Sequence, residues 1–225
     1  MDFTLKLSLL VVILAFFSII IYFKKSLDFK GIIAGNLILM ITFFYGGLRA
    51  FTLLASFFIL GELGTRYGRK REKIKFERRN YDNILANAGP GVISLVLGSP
   101  VAFASGIATA LSDTLSSEIG MMSENRPRMI TTFKEVEVGT DGGITLQGSL
   151  IALVGAFVTA SIYYLLIQNS VKALIVITIA GFLGCMMDSL LGALFESKKK
   201  ITNSQTNFLA CSFGAIVGWL LIILI

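Results

Sequence analysis

Apolar residues in this chain come in long, nearly unbroken runs separated by short polar breaks. They do not form the one-sided stripe of a soluble amphipathic helix or the strict alternation of a half-buried strand. The runs cover 7–23, 31–48, 50–64, 83–97, 101–120, 144–167, 171–194 and 207–225. Most approach the roughly 20 apolar residues that a helix needs to cross a bilayer. The pattern therefore predicts an all-α fold, a polytopic transmembrane helical bundle of about 7–8 spans. The third and fourth runs are short, and Pro90 between Gly89 and Gly91 predicts a broken or re-entrant fourth segment. No break is long enough to be a linker between domains. Residues 1–225 are expected to form a single integral membrane domain, with 65–82 and 121–143 as its cytoplasmic loops.

Composition agrees: 55% of residues are hydrophobic and only 15% charged, with a mean hydropathy of +0.79. The basic residues alternate between sides. Lys24, Lys25 and Lys30, the eight from Arg66 to Arg79, then Arg126, Arg128 and Lys134, then Lys198 to Lys200 fall on one side. That is 17 of the 20, leaving Lys6, Arg49 and Lys172 for the other. The positive-inside rule makes the rich side cytoplasmic and puts both termini on the non-cytoplasmic side of a multi-pass cell-membrane protein. The first run lacks a positive n-region and a small-residue cleavage site, and Lys24 and Lys25 follow it, so it is expected to be a retained helix. Histidine is absent, which removes imidazole as base or metal ligand and excludes a Ser-His-Asp triad. Cys185 and Cys211 lie in apolar runs without zinc or redox spacing and read as packing residues. A metal here must be held by oxygen, which points to Mg²⁺, Mn²⁺ or Ca²⁺.

Three segments place acids in or beside the apolar runs: L-S-D-T-L-S-S-E-I-G at Leu111–Gly120, G-T-D-G-G-I-T at Gly139–Thr145, and M-M-D-S-L-L-G-A at Met186–Ala193. Carboxylates at membrane depth are costly, so they mark function by default. On the predicted topology Asp113, Glu118, Asp141 and Asp188 all face the cytoplasmic side, as do Asn83 and Asn87. A conduction path would instead put some of them at the midplane. Gly106, Thr109, Asp113, Ser117 and Gly120 recur every three or four residues, and Gly181, Gly184, Asp188 and Gly192 do likewise. Helix packing accounts for the small residues in such stripes; it does not account for a carboxylate in each. Glu118 lies five residues from Asp113, about 140° away on an ideal helix. The Gly139–Gly143 turn can offer backbone N–H groups to phosphate, and Thr145 adds a hydroxyl near the helix start. The run from Arg66 to Arg79 is mostly a topology signal, although Arg66 and Lys70 lie nearest the membrane, and Glu62 can pair with Arg66. Lys198 to Lys200 read as topology alone.

Acids without histidine, a glycine turn and nearby Arg and Lys suit Mg²⁺ and phosphates, since phosphoryl transfer asks a protein mainly to position reactants and neutralise charge. At a membrane edge this predicts a lipid-alcohol or lipid-phosphate transferase. From the third run onward the chain resembles the phytyl-phosphate kinase family of integral membrane proteins. The resemblance rests on T-R-x-G-R-K (Thr65–Lys70), N-A-G (Asn87–Gly89), S-D-T-L-S-S-E-I-G, the Gly139–Gly143 turn followed by I-T, and D-S-L-L-G-A (Asp188–Ala193). It implies transfer of a phosphoryl group from CTP to an isoprenoid monophosphate, and a distant likeness to dolichol and phytol kinases. Such an acceptor is already anionic near neutral pH, its second pKa being about 6, and needs no general base. The expected assignments put Asp113 and Asp188 on Mg²⁺, with Asp141 and Glu118 as third ligands or supporting groups. Asn87, Ser117, Gly142, Gly143 and Thr145 are expected at the nucleotide phosphates, and Arg66, Lys70 and a catalytic Lys134 at their charge. Phe43, Phe44, Phe51, Phe57 and Phe58 read as lipid-facing and packing residues or as the wall of an isoprenoid groove. Expected partners are the isoprenoid phosphate, the nucleotide and membrane lipids, with a homo-oligomer left open and no nucleic acid. Two rival readings are a cytidylyltransferase making a CDP-lipid and, in another class, a small cation or lipid transporter.

Overall fold

The structure, a computed structural model, describes residues 3–72, 80–123 and 125–225. Among the described residues seven helices follow in order: α1 (Phe3–Phe23), α2 (Phe29–Glu72), α3 (Tyr81–Val96), α4 (Pro100–Gly120), α5 (Leu146–Leu166), α6 (Val171–Leu191) and α7 (Asn203–Leu224). A π-helical turn, Gly192–Glu196, extends α6, and a two-stranded ribbon, β1 (Arg128–Met129) with β2 (Gly143–Ile144), lies between α4 and α5. Among the described residues four helical stretches are long and apolar enough to cross a membrane: Phe29–Gly68, Leu146–Leu166, Val171–Glu196 and Asn203–Leu224.

α2 is a hairpin. A straight helix of its 44 residues would be about 66 Å long. Yet Arg66 Nη2 donates to Lys24 O at 2.9 Å and to Ser26 Oγ at 3.1 Å, and Ser26 Oγ donates to Glu62 Oε1 at 2.7 Å. The chain can close that distance because Gly47 takes φ 66° and ψ −167°, a backbone region open to glycine. The expected second and third spans are the two arms on either side of it. Phe43 and Phe51 meet edge to face across the reversal, their ring centroids 6.4 Å apart.

The expected break at Pro90 is not present: α3 runs through it as one helix. Its start is fixed by a reciprocal cap in which Asn83 N donates to Asn80 Oδ1 and Asn80 N to Asn83 Oδ1. The carbonyl of Pro90 still accepts from Ser94 Oγ at 3.0 Å. At Gly91 the backbone of α4 comes so close that a Cβ would lie 2.9 Å from Phe103 O.

α4 is the axis of the bundle. Phe103, Ile107 and Leu111 are fully buried there, as are Ser105, Thr109 and Ser112. Helices in lipid gain little from burying apolar surface against one another and associate by close packing of small residues. Gly155 of α5 sits on the Ser112 backbone, while Gly184 of α6 and Gly214 of α7 both close on the Thr109 side chain. The glycines of the predicted stripes are therefore contact seams. Phe51 and Phe57 are buried core residues and Phe44 is exposed, which matches their reading as packing and outward-facing groups.

These contacts bring the basic loops to one end. Lys24 meets Arg66, Gly68 packs on the backbone of Glu118 at the end of α4, and Gly142 packs on Ala193 after α6. The reversal at Gly47, with Arg49 beside it, and the α5–α6 turn, with Lys172, lie at the opposite ends of their helices.

Candidate functional site

At the basic end, the last turns of α4 and α6 and the first turns of α5 and α7 surround a cavity of about 230 Å³. The 121–145 connection forms part of its wall. Its part from 128 to 144 is ordered by backbone pairing: Arg128 faces Ile144, Met129 faces Gly143, and Arg128 also bridges to Glu135. Ile130 N donates to Gly142 O, and Gly143 N to Thr140 O, both at 2.9 Å. Gly139 (φ +86°) and Gly142 (φ +80°) supply the left-handed corners. Gly142 also permits docking, since a Cβ there would lie 2.7 Å from both N and Cα of Ala193. The predicted phosphate turn is thus pressed against the π turn of α6. Thr145 caps α5 by accepting from Gly148 N at 2.9 Å, and both residues line the cavity.

Asp113 and Asp188 both line it, and their carboxyls are in hydrogen-bonding contact. Like charges this close are relieved by a shared proton or a cation. Ser117 Oγ lies 3.5 Å from Asp113 Oδ1, and Ser116 Oγ donates to Asp113 O at 3.1 Å while contacting Cys185 Sγ at 3.4 Å. The Asn207 amide, with its nitrogen turned toward the acceptors it faces, donates to Asp188 Oδ2 at 3.0 Å and to Asn203 O at 3.3 Å. Asp141 and Glu196 complete the acidic lining, and both stand within electrostatic reach of Asp188.

Glu196 is absent from the sequence reading, for a geometric reason. Eight residues of α-helix would place it about 80° from Asp188. The π turn, whose bonds run from i to i+5, winds more slowly per residue and turns Glu196 back toward Asp188, with which it lines the cavity. Its signature is the bond from Ser197 N to Gly192 O at 3.0 Å. Thr206 Oγ donates to Glu196 Oε2 at 2.7 Å from a fully buried position. Thr206 and Asn207 were hidden in the polar stretch T-N-S-Q-T-N (Thr202–Asn207) that starts α7.

Of the expected site residues, Asp113, Ser117, Asp141, Gly142, Gly143, Thr145 and Asp188 come together at the cavity. Of the other five, four do not line it. Arg66 is engaged elsewhere, donating from Nε to Glu62 Oε1 at 2.6 Å and from Nη2 to the α1–α2 turn. The side chain of Lys70 lies outside the described residues. Asn87 is buried on α3 with its Nδ2 donating to Asn83 O at 2.8 Å. Glu118 is on the α2 side of α4, where its backbone meets Gly68, as its 140° offset requires. Lys134 is exposed on the outer part of the 121–145 segment, its carbonyl accepting from Met129 N at 2.9 Å.

The lining therefore carries four carboxylates, and among the described residues no Lys or Arg. Nor are any three acidic or thiol side chains among the described residues grouped to hold an ion by themselves. A metal would rest on the Asp113–Asp188 pair and take its remaining oxygens from water or a ligand, which is how Mg²⁺ is commonly held beside phosphates.

Residues 12–216 match the family described as integral membrane protein DUF92. The chain belongs to this family. An uncharacterized membrane protein of Methanocaldococcus jannaschii is 36% identical over 230 residues, covering 98% of this chain and 96% of the relative. Protein PGR of Arabidopsis thaliana is 34% identical over 78% of this chain and 74% of its own length. Protein VTE6, chloroplastic, from the same plant is 28% identical over 87% of this chain and 65% of its own length. No solved structure matches. The chain is an integral membrane protein with an all-helical bundle, and the family match takes in every residue that lines the cavity.

Proposed function

We propose that this DUF92 protein is a membrane-embedded phosphotransferase that passes a phosphoryl group from a nucleotide, CTP in the first instance, to an isoprenoid monophosphate and so makes the diphosphate. The observation that carries this reading is the Asp113–Asp188 pair facing the Gly139–Gly143 turn and the capped start of α5 across one cavity. The resemblance of those same segments to the phytyl-phosphate kinases supports the chemistry. The basic end is taken as cytoplasmic, which opens the cavity to nucleotide from water while the isoprenoid chain stays among lipid tails.

Four carboxylates would repel a triphosphate, and a lining without described Lys or Arg offers nothing of its own to offset the charge. Asp113 and Asp188 would hold Mg²⁺, whose charge neutralises phosphate oxygens as the γ-phosphoryl group moves. The protein's part is to fix these carboxylates and to present the start of α5, with Thr145 and the glycine turn, to phosphate. The cavity, at about 230 Å³, is below the roughly 300 Å³ of pockets that enclose a drug-sized ligand. It would hold phosphates and leave the base and ribose outside. The acceptor, already ionised, needs no proton removed, so none of the four acids has to act as a base.

The test is product analysis with purified protein, Mg²⁺, phytyl or geranylgeranyl monophosphate and each NTP in turn. The diphosphate with release of CDP is expected. Pyrophosphate with a CDP-lipid would make the protein a cytidylyltransferase. Ion or lipid movement in vesicles with no nucleotide consumed would make it a transporter.

A further inference from the structure

We infer that Thr206 and Asn207, at the start of α7, are positioning residues that fix Glu196 and Asp188 beside a divalent cation carried by the Asp113–Asp188 pair. The inference rests on the metal-dependent reading above. Each side chain engages one carboxylate oxygen from a buried position: Thr206 Oγ donates to Glu196 Oε2 at 2.7 Å, and the Asn207 amide to Asp188 Oδ2 at 3.0 Å. Thr206 is fully buried and Asn207 7% exposed. Thr206 could instead return its proton to its own helix, where Thr202 O lies 3.2 Å away. The carboxylate contact is much the shorter, and a charged acceptor is the stronger partner.

The two acids depend on these donors for different reasons. Asp188 stands against Asp113, and an anchored Oδ2 fixes the plane of its carboxylate beside that neighbour. Glu196 sits on the π turn, and its three-bond side chain needs a fixed point at its far end to stay on the Asp188 face. Both donors are consecutive residues of one helix turn, and that turn is held by a reciprocal cap between Thr202 and Gln205. A rigid helix start thus sets two carboxylates that come from another helix. Outer contacts of this type orient ligands and commonly change metal affinity by 10–100-fold when removed.

The experiment uses full-length protein in detergent and reads Mn²⁺ binding from the loss of the free-ion EPR signal, with the melting temperature of the ion-free protein measured in parallel. Wild type is expected to bind Mn²⁺ and Asp113→Asn to lose it. Thr206→Val and Asn207→Leu should each weaken binding about tenfold, and Thr206→Ser, which keeps the hydroxyl, should stay within about twofold of wild type. The inference is overturned if Thr206→Val and Asn207→Leu bind Mn²⁺ as wild type does. It is equally overturned if Thr206→Ser is as weak as Thr206→Val and affinity merely follows the melting temperature. Failure of wild type itself to bind Mn²⁺ would instead overturn the metal-dependent reading on which the inference stands.

Discussion

Gly142→Ala offers a quantitative test of how the phosphate turn is held, because Gly139→Ala is its built-in control. Both glycines have left-handed φ, +86° and +80°, and an L-residue there costs about 1–2 kcal/mol. They differ in surroundings. A Cβ on Gly139 meets nothing within 4 Å, whereas one on Gly142 would overlap Ala193 N and Cα at 2.7 Å as well as its Cβ. Backbone atoms of a packed helix cannot swing aside, so overpacking adds about 1–3 kcal/mol. Gly142→Ala should therefore cost about 2–5 kcal/mol in docking of the turn, against about 1–2 for Gly139→Ala. Local opening limits what a melting curve can show. The amide of Ile130, which donates to Gly142 O, is the better probe. Its hydrogen exchange should accelerate strongly in Gly142→Ala and by at most about thirtyfold in Gly139→Ala, given about 1.4 kcal/mol per factor of ten. Equal acceleration in the two variants would refute the claim that the turn is docked through the Gly142–Ala193 contact.

Other outcomes follow from the same geometry. Asp113→Asn and Asp188→Asn should each lower phosphoryl transfer by at least about a hundredfold while the purified protein keeps its helical circular dichroism; near-normal turnover in either removes that residue from the site. Arg66→Ala should leave turnover within about threefold and cost no more than about 1 kcal/mol in stability, because the Glu62 pair is partly exposed, the Arg66 side chain being 39% accessible. A large loss of activity would return Arg66 to the phosphates. Gly155→Leu should lower the melting temperature in detergent, since a Cβ already falls 3.0 Å from the Ser112 backbone and the α4–α5 seam has no room for a side chain. An unchanged melting curve would show that the seam is loose.

The long-range organisation was legible from the hydrophobic runs, because a membrane helix must be apolar along its length and leaves that mark in sequence. The reversal within α2 was legible too, as the gap between two runs, although only the backbone of Gly47 shows how the chain turns. Pro90 misled, because a proline removes one hydrogen bond without obliging a helix to end when neighbouring helices hold it in place. In the site, Asp113, Ser117 and Asp188 could be read because helical spacing places side chains on faces. Glu118 was doubtful on the same geometry. Glu196 could not be read, because the π turn that realigns it has no sequence rule as simple as i, i+4. The basic residues were the least legible. Lys134 is near the Gly139–Gly143 turn in sequence, and the Arg66–Glu62 pair was readable from its i, i+4 spacing, yet what else a long cationic side chain touches is decided by tertiary neighbours such as the α1–α2 turn.

The central claim is that phosphate transfer takes place between the Asp113–Asp188 pair and the Gly139–Gly143 turn. It is met most directly by an experimental structure with Mg²⁺ and a non-hydrolysable CTP analogue. The ion is predicted between the Asp113 and Asp188 carboxylates, with the terminal phosphates against the start of α5 and the glycine turn. Nucleotide bound elsewhere on the basic end, with the Asp113–Asp188 contact intact and no ion between them, would contradict it.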